Sequence, residues 1–350
     1  MKSGRNLFAG LANSVWTALI NLAVVPLYLN YLGVEAYGLI GVFVTLQAVM
    51  QLLDLGLAPT ANREIARCLA LGNLGEARRL LHSLAVVYWG AAGLIAVVVF
   101  LLAPFVAGYW LDSTSLAEGD VSRAVALIGL VIACRWPIVL YQGALAGAQR
   151  LTIQSAINSA MVTLGSVGAV AILAFVSATV EAFFIWQACV GVVYAATIRS
   201  ATWWILGKGA DLRFDWAVFR RIWRFSLGMS AIAVIGVILI QLDKIILSKM
   251  LPLAAFGQYM LATTVVGGLY VLVTPLFNLA YPRFSSLVAT GNRQALAVQY
   301  RQNLQLFSVL LFPTAMLLIC WGEELVTVWT GSADIASGVA PIIRDRKSVV

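Results

Sequence analysis

Nine stretches that lack Lys, Arg, Asp and Glu decide what this chain can fold into. They run 6–34, 36–53, 80–111, 124–149 (interrupted only by Arg135), 151–180, 182–198, 225–242, 250–282 and 302–322. A helix needs about 20 apolar residues to cross hydrocarbon, and in lipid only helices and closed barrels satisfy every backbone amide. The expected fold class is therefore an all-α polytopic membrane protein with about nine transmembrane helices. Composition agrees: 61% of the 350 residues are hydrophobic and 11% charged, against about 25% charged in soluble domains. A soluble enzyme, a nucleic-acid binder and a secreted disulfide scaffold are excluded. Cys68, Cys134, Cys189 and Cys320 have no metal-like spacing and read as free thiols.

The first stretch follows Lys2 and Arg5 and is too long for a signal-peptide core, so it reads as a signal anchor. With the amino terminus in the cytoplasm, threading nine spans places 16 Lys and Arg inside and only Arg123 and Lys249 outside. Outer loops collect Glu35, Asp112, Glu118, Asp120, Glu181, Glu323, Glu324 and Asp334. This is a strong positive-inside pattern.

The inner loop from about 207 to 224 is the one linker. A shift of 219 residues pairs Leu32 with Leu251, Tyr37 with Phe256, Gly38 with Gly257, Gly72 with Gly291, Asn73 with Asn292 and Trp110 with Trp329. The order of features recurs as well: span, tight outer turn, span, basic inner loop with Gly-Asn, span, outer Trp. Parallel repeats are expected, with a first six-helix lobe over 1–210 and the first half of a second over 211–343. The shift puts the partner of the fourth span near residue 343, so about three further helices are expected in the complete protein. Residues 344–350 break the pattern and read as a non-native tail.

Chemistry-bearing motifs are few. There is no GxxxxGK[ST] loop and no HExxH, and His82, the single histidine, reads as interfacial. No cofactor or metal is implied. Ionisable residues inside a span are costly and therefore functional candidates. Arg135 has 11 uncharged residues before it and 14 after it, which places it near mid-bilayer. Gln142, seven residues on, shares its helical face. A guanidinium facing a wet cavity suits bidentate phosphate binding; the alternative is a buried structural arginine paired to a carboxylate. Gln47, Gln51 and Asp54 share a face of the second span, and Asn13, Thr17, Asn21 and Tyr28 one of the first. Such stripes solvate a substrate or glue helices together. Asp54 is a candidate for gating or for organising the turn before Gly56 and Pro59. Asp243 is a candidate coupling site for H⁺ or Na⁺, or half of a structural ion pair. Lys244, adjacent but pointing about 100° away, is expected to snorkel outward rather than pair with Asp243.

Three strings carry a family resemblance: YLGVEAYGLIGVFVTLQAVMQLLDLGLAPTANREIAR (31–67), RWPIVLYQGALAGAQR (135–150) and QLDKIILSKMLPLAAFGQYMLA (241–262). They resemble Wzx-type polysaccharide flippases of the multidrug/oligosaccharidyl-lipid/polysaccharide exporter superfamily. The resemblance implies two six-helix lobes around a cavity. It further implies a non-enzymatic carrier in the bacterial inner membrane, moving undecaprenyl-diphosphate-linked oligosaccharide to the periplasmic leaflet for O-antigen, capsule or exopolysaccharide synthesis. Partners would be the lipid-linked oligosaccharide, the bilayer, a coupling ion and polysaccharide assembly proteins, with no nucleic acid. Arg135 would hold phosphate or an acidic sugar, and Gln142, Asn21, Gln47 and Gln51 would solvate the glycan. A drug or cation antiporter of the same superfamily is the alternative; a glycan polymerase is disfavoured by the short outer loops.

Overall fold

A computed structural model describes residues 2–54, 56–113, 116–207, 214, 216–269, 273, 280, 284, 287 and 293–346. Among these the secondary structure is helical, in eleven α-helices with no strand. The chain is an all-α polytopic membrane protein: six helices are long and apolar enough to span a bilayer.

Helix α1, Lys2–Met50, holds the first two expected spans, joined at a kink. Its 49 residues would reach about 74 Å if straight, more than twice the hydrocarbon core of about 30 Å. The break falls on Gly33, at φ 81 and ψ 172, a conformation open essentially to glycine alone. The expected outer turn is thus a single residue. Glu35, expected in an outer loop, is instead helical and buried at 9% exposure.

A 3-10 turn, Gln51–Asp54, leads to α2, Leu57–Ala70, which is too short to span. Its apolar face (Leu57, Ala61, Ile65, Cys68) is buried against α3 and α4, while Arg63 and Arg67 face out. An amphipathic helix of this kind suits a membrane interface. Asn73 caps α3, Leu74–Phe105, by accepting from the Glu76 N–H at 3.4 Å, while its amide donates to the Glu76 carboxylate at 3.1 Å. A π-helical turn, Val106–Trp110, ends that span.

Helix α4, Glu118–Gly147, lies at the centre, packed on α2, α3 and α6. Helices α5, Leu151–Phe175, and α6, Val180–Leu206, pack on each other and, respectively, on α1 and α4. Two buried clusters result. One joins α1, α4, α6 and α8; the other packs Leu80, Leu84, Tyr88, Tyr141, Leu145 and Ile198 around α2.

Helix α7, Trp216–Met250, contains the seventh expected span. Residues 216–224, expected in the linker, are helical because the chain enters α7 there; residues 208–213 and 215 of that linker lie outside the described residues. Helix α8, Leu253–Gly267, opens the eighth span, most of whose remainder lies outside the described residues, as do Arg283, Gly291 and Asn292. Helix α9, Arg293–Cys320, has no buried residue. Two short helices follow, α10 (Gly322–Thr330) and α11 (Ala333–Arg346). The last continues through 344–346, which were expected in the non-native tail; 347–350 lie outside the described residues.

One contact bears on the repeat. The second half of α1 meets α8 through glycines: a β-carbon on Gly38 would lie 2.4 Å from the Leu253 carbonyl oxygen, and one on Gly257 2.3 Å from that of Val34. Under the 219-residue shift Gly38 maps to Gly257 and Val34 to Leu253, so each contact is the mate of the other. Gly41 likewise meets Met260, its own mate.

Candidate functional site

Helices α1, α4, α5 and α6, with Thr264 of α8, enclose an open cavity of about 640 Å³. Both halves of α1 line it, Asn21, Val24 and Tyr28 before Gly33 and Tyr37, Phe43 and Gln47 after it, joined by Gln51 of the 3-10 turn that follows. The kink therefore folds the two spans around one space. All five residues expected to contact substrate, Arg135, Gln142, Asn21, Gln47 and Gln51, line this cavity. Arg135 carries the one charge among the described lining residues.

Arg135 lies 12 residues, about 18 Å of helix, before the end of α4. Its guanidinium donates to the Gln187 Oε1 of α6 and sits 5.5 Å over the Phe43 ring, a cation–π contact that stabilises the charge without cancelling it. Among the described residues no carboxylate lies within 4.0 Å of it. Its partner among the described residues is thus a neutral amide and not the carboxylate of the alternative reading. Gln187 is in turn anchored, its Nε2 donating to the Gly165 carbonyl of α5 at 3.3 Å.

Two helical turns away runs a second hydrogen-bonded rung. Gln142 Nε2 donates to the Tyr194 hydroxyl at 2.8 Å, which donates to Asn158 Oδ1 at 2.9 Å; Asn158 Nδ2 then donates to Asn13 Oδ1 at 2.8 Å. The spacing is seven residues on each of three helices: 135 and 142 on α4, 187 and 194 on α6, 158 and 165 on α5. The constant offset of 52 residues between the α4 and α6 members makes those helices parallel in this region. These rungs fix the wall of the cavity.

The side chains of Asn21, Gln47 and Gln51, in contrast, make no hydrogen bond to a described residue. Their carboxamides are open donors and acceptors in the cavity. The first polar stripe of α1 thus divides. Asn13 and Tyr28 join α1 to α5, Tyr28 donating to the Ser166 carbonyl at 3.1 Å, while Asn21 faces the cavity.

The three charged candidates lie away from the cavity lining. Asp54 accepts from the Tyr88 hydroxyl and, at 3.2 Å, from the Ala58 N–H, which supports the turn into α2. Burial pushes its carboxyl above the usual range, while the Tyr88 hydroxyl and the backbone N–H groups pull it back. Asp243 accepts from the Tyr259 hydroxyl of α8. Lys244 is not an outward snorkel. It is 7% exposed, donates to the Ile240 carbonyl at 2.7 Å and brings Nζ to 3.6 Å from Asp243 Oδ1. The side chain folds back along its own helix, which closes the 100° gap expected to keep the two apart. Among the described residues no group of three His, Cys, Asp or Glu could hold a metal ion.

Gln187, Tyr194, Asn158 and Phe43 were missed by the sequence reading. Gln187 and Tyr194 stand seven apart on an otherwise apolar span, the same spacing as Arg135 and Gln142; that echo is the signal that could have found them.

Comparison with known proteins places this geometry. The family model for polysaccharide biosynthesis proteins matches residues 3–288. A Shigella flexneri protein named as an O-antigen transporter is 22% identical over 337 residues, covering 91% of this chain and 76% of that protein. An inward-facing multidrug resistance transporter of the MATE family, in the MOP superfamily, superposes with a TM-score of 0.65 at 13% identity, over 94% of this chain and 76% of that one. A MOP superfamily transporter from Pyrococcus furiosus gives 0.60 at 14% identity, over 98% of this chain and 77% of that one. A multi-pass membrane protein with the MOP transporter fold, the chain belongs to the polysaccharide biosynthesis protein family.

Proposed function

We propose that this protein is a non-enzymatic transporter that moves an undecaprenyl-diphosphate-linked oligosaccharide from the cytoplasmic to the periplasmic leaflet of a bacterial inner membrane, for surface polysaccharide synthesis. The observation that carries the reading is Arg135: a guanidinium at mid-helix, in a cavity whose other described lining residues are uncharged, with a neutral partner. Such a group attracts an anion and holds phosphate oxygens in a planar, bidentate fashion. The open amides of Asn21, Gln47 and Gln51 suit sugar hydroxyls, and Gln142, held by Tyr194, lines the same wall. A volume of about 640 Å³ corresponds to about 20 waters at about 30 Å³ each, enough for a diphosphate and its first sugars.

Outward movement of an anion down a cytoplasm-negative potential releases about 2.3 kcal/mol per charge per 100 mV, so the reading requires no ATPase. The positive-inside pattern supports a cytoplasmic amino terminus. The mated contacts of Gly38 and Gly257 support two parallel lobes, over 1–210 and 211–343, related by a two-fold axis. Asp54, in the turn between α1 and α2, and Asp243 and Lys244, within α7, lie away from the cavity and are assigned to gating, with Asp243 as the site for a coupling H⁺ or Na⁺. The anionic lipid-linked glycan and the bilayer are the partners, together with polysaccharide assembly proteins. A cation or drug antiporter would require an acidic cavity, and this one has none among its described lining residues.

The test is a flipping assay on the protein in liposomes, alongside the lipid-linked oligosaccharide pool of a deletion strain. Arg135→Ala at normal abundance is expected to abolish translocation, and deletion to accumulate substrate in the inner leaflet. Intact transport by Arg135→Ala would end the anion-binding role.

A further inference from the structure

We propose that Gln187 sets the charge selectivity of the cavity: it is a neutral clamp that orients the Arg135 guanidinium without cancelling its charge. The inference rests on the anionic-substrate reading and adds a specificity-determining residue to it. A buried arginine needs hydrogen-bond acceptors, and carboxylates are the usual supply. Here the acceptor is an amide oxygen. The other end of that amide donates to the Gly165 carbonyl at 3.3 Å, so the group cannot flip without setting its NH₂ against the guanidinium and its oxygen against a carbonyl. Its orientation is therefore determined by its neighbours on both sides.

Guanidinium has five N–H donors. Gln187 takes one through an NH2 nitrogen, and Phe43 covers a face of the group. The remaining donors stay available to an incoming ligand. A carboxylate at 187 would pair with the guanidinium through up to two of its donors and bring the local charge to zero, which removes the attraction for a diphosphate. The position of Gln187 also matters: the 187–135 rung is the one of the two that holds a charge, whereas the rung two turns away, Gln142–Tyr194–Asn158, is neutral throughout. Anion recognition is thereby confined to one level of the cavity and the hydroxyl-recognising amides are left uncharged. Such an arrangement fits a ligand with a compact diphosphate joined to a neutral glycan.

The experiment measures binding of farnesyl diphosphate and of farnesol to the purified protein in detergent, for wild type, Arg135→Gln, Gln187→Glu and Gln187→Leu. Wild type is expected to prefer the diphosphate. Gln187→Glu should lower diphosphate affinity about tenfold or more and leave farnesol binding unchanged. Gln187→Leu, neutral and similar in size, should weaken diphosphate binding less and keep the preference. Retained preference in Gln187→Glu, with loss in Arg135→Gln, would overturn the role of Gln187 and leave the anion reading standing. Retained preference in Arg135→Gln would overturn the anion reading itself. If Gln187→Glu does not fold, Gln187→Leu decides alone: loss of preference there shows that neutrality at 187 is not what preserves selectivity, and the proposal fails.

Discussion

At mid-membrane the cost of a polar group depends on whether its partners are in place, and the cavity contains both kinds. Tyr194 both accepts from Gln142 and donates to Asn158, so Tyr194→Phe removes two hydrogen bonds and leaves an amide and a carbonyl unpaired. Hydrogen bonds between membrane helices average about 0.6 kcal/mol, so a loss of about 1–2 kcal/mol in thermal or denaturant unfolding is expected. Asn21→Ala, whose side chain bonds no described residue, should leave stability unchanged and reduce transport. Asp54 offers a pH readout. Its carboxyl is raised in the folded protein by burial, so its ionised form opposes folding. The stability it contributes when protonated is present at low pH and is lost as pH climbs from the usual carboxylate value through the raised one. Asp54→Asn keeps an acceptor for Tyr88 and should flatten that part of the stability–pH curve. The position of Arg135 well inside a helix was legible from the uncharged run around it, because position along a helix is linear in sequence. The identity of its partner was not, because Gln187 lies 52 residues away and only the relative rotation of two helices brings them together.

Among elements, α1 shows how one residue sets a topology. Gly33 lets two spans meet with no loop between them. A side chain there is expected to cost about 1–3 kcal/mol, so Gly33→Val should reduce folded yield and melting temperature. The α1–α8 contact tests the repeat directly. A β-carbon at either Gly38 or Gly257 would meet a carbonyl oxygen at under 3 Å. If the two positions are mates, Gly38→Val and Gly257→Val should destabilise to a similar extent in the same melting assay. A large inequality would argue against a two-fold relation there. Charge-free runs revealed the spans because lipid excludes charge from all of them alike. Element ends were less legible: α7 extends back to Trp216 and forward past Asp243 and Lys244 to Met250, since a helix continues into the interface for as long as its backbone bonds are satisfied, whatever the side-chain charge.

For the whole molecule, topology can be read by labelling single cysteines from either side of the membrane in cells. With a cytoplasmic amino terminus, Gly72→Cys is expected to react only from the cytoplasm and Ser113→Cys only from outside; the reverse pattern would invert the proposed direction of transport. Membrane class, spans, the mid-helix position of Arg135 and family resemblance came from the sequence by itself, because hydropathy and local strings are one-dimensional properties. Only the tertiary structure decided which polar groups stand free in the cavity, which are spent on neighbouring helices, and that Lys244 turns back toward Asp243. Those outcomes depend on helix register and rotation, which close packing selects among side chains far apart in the chain, and no local pattern encodes them.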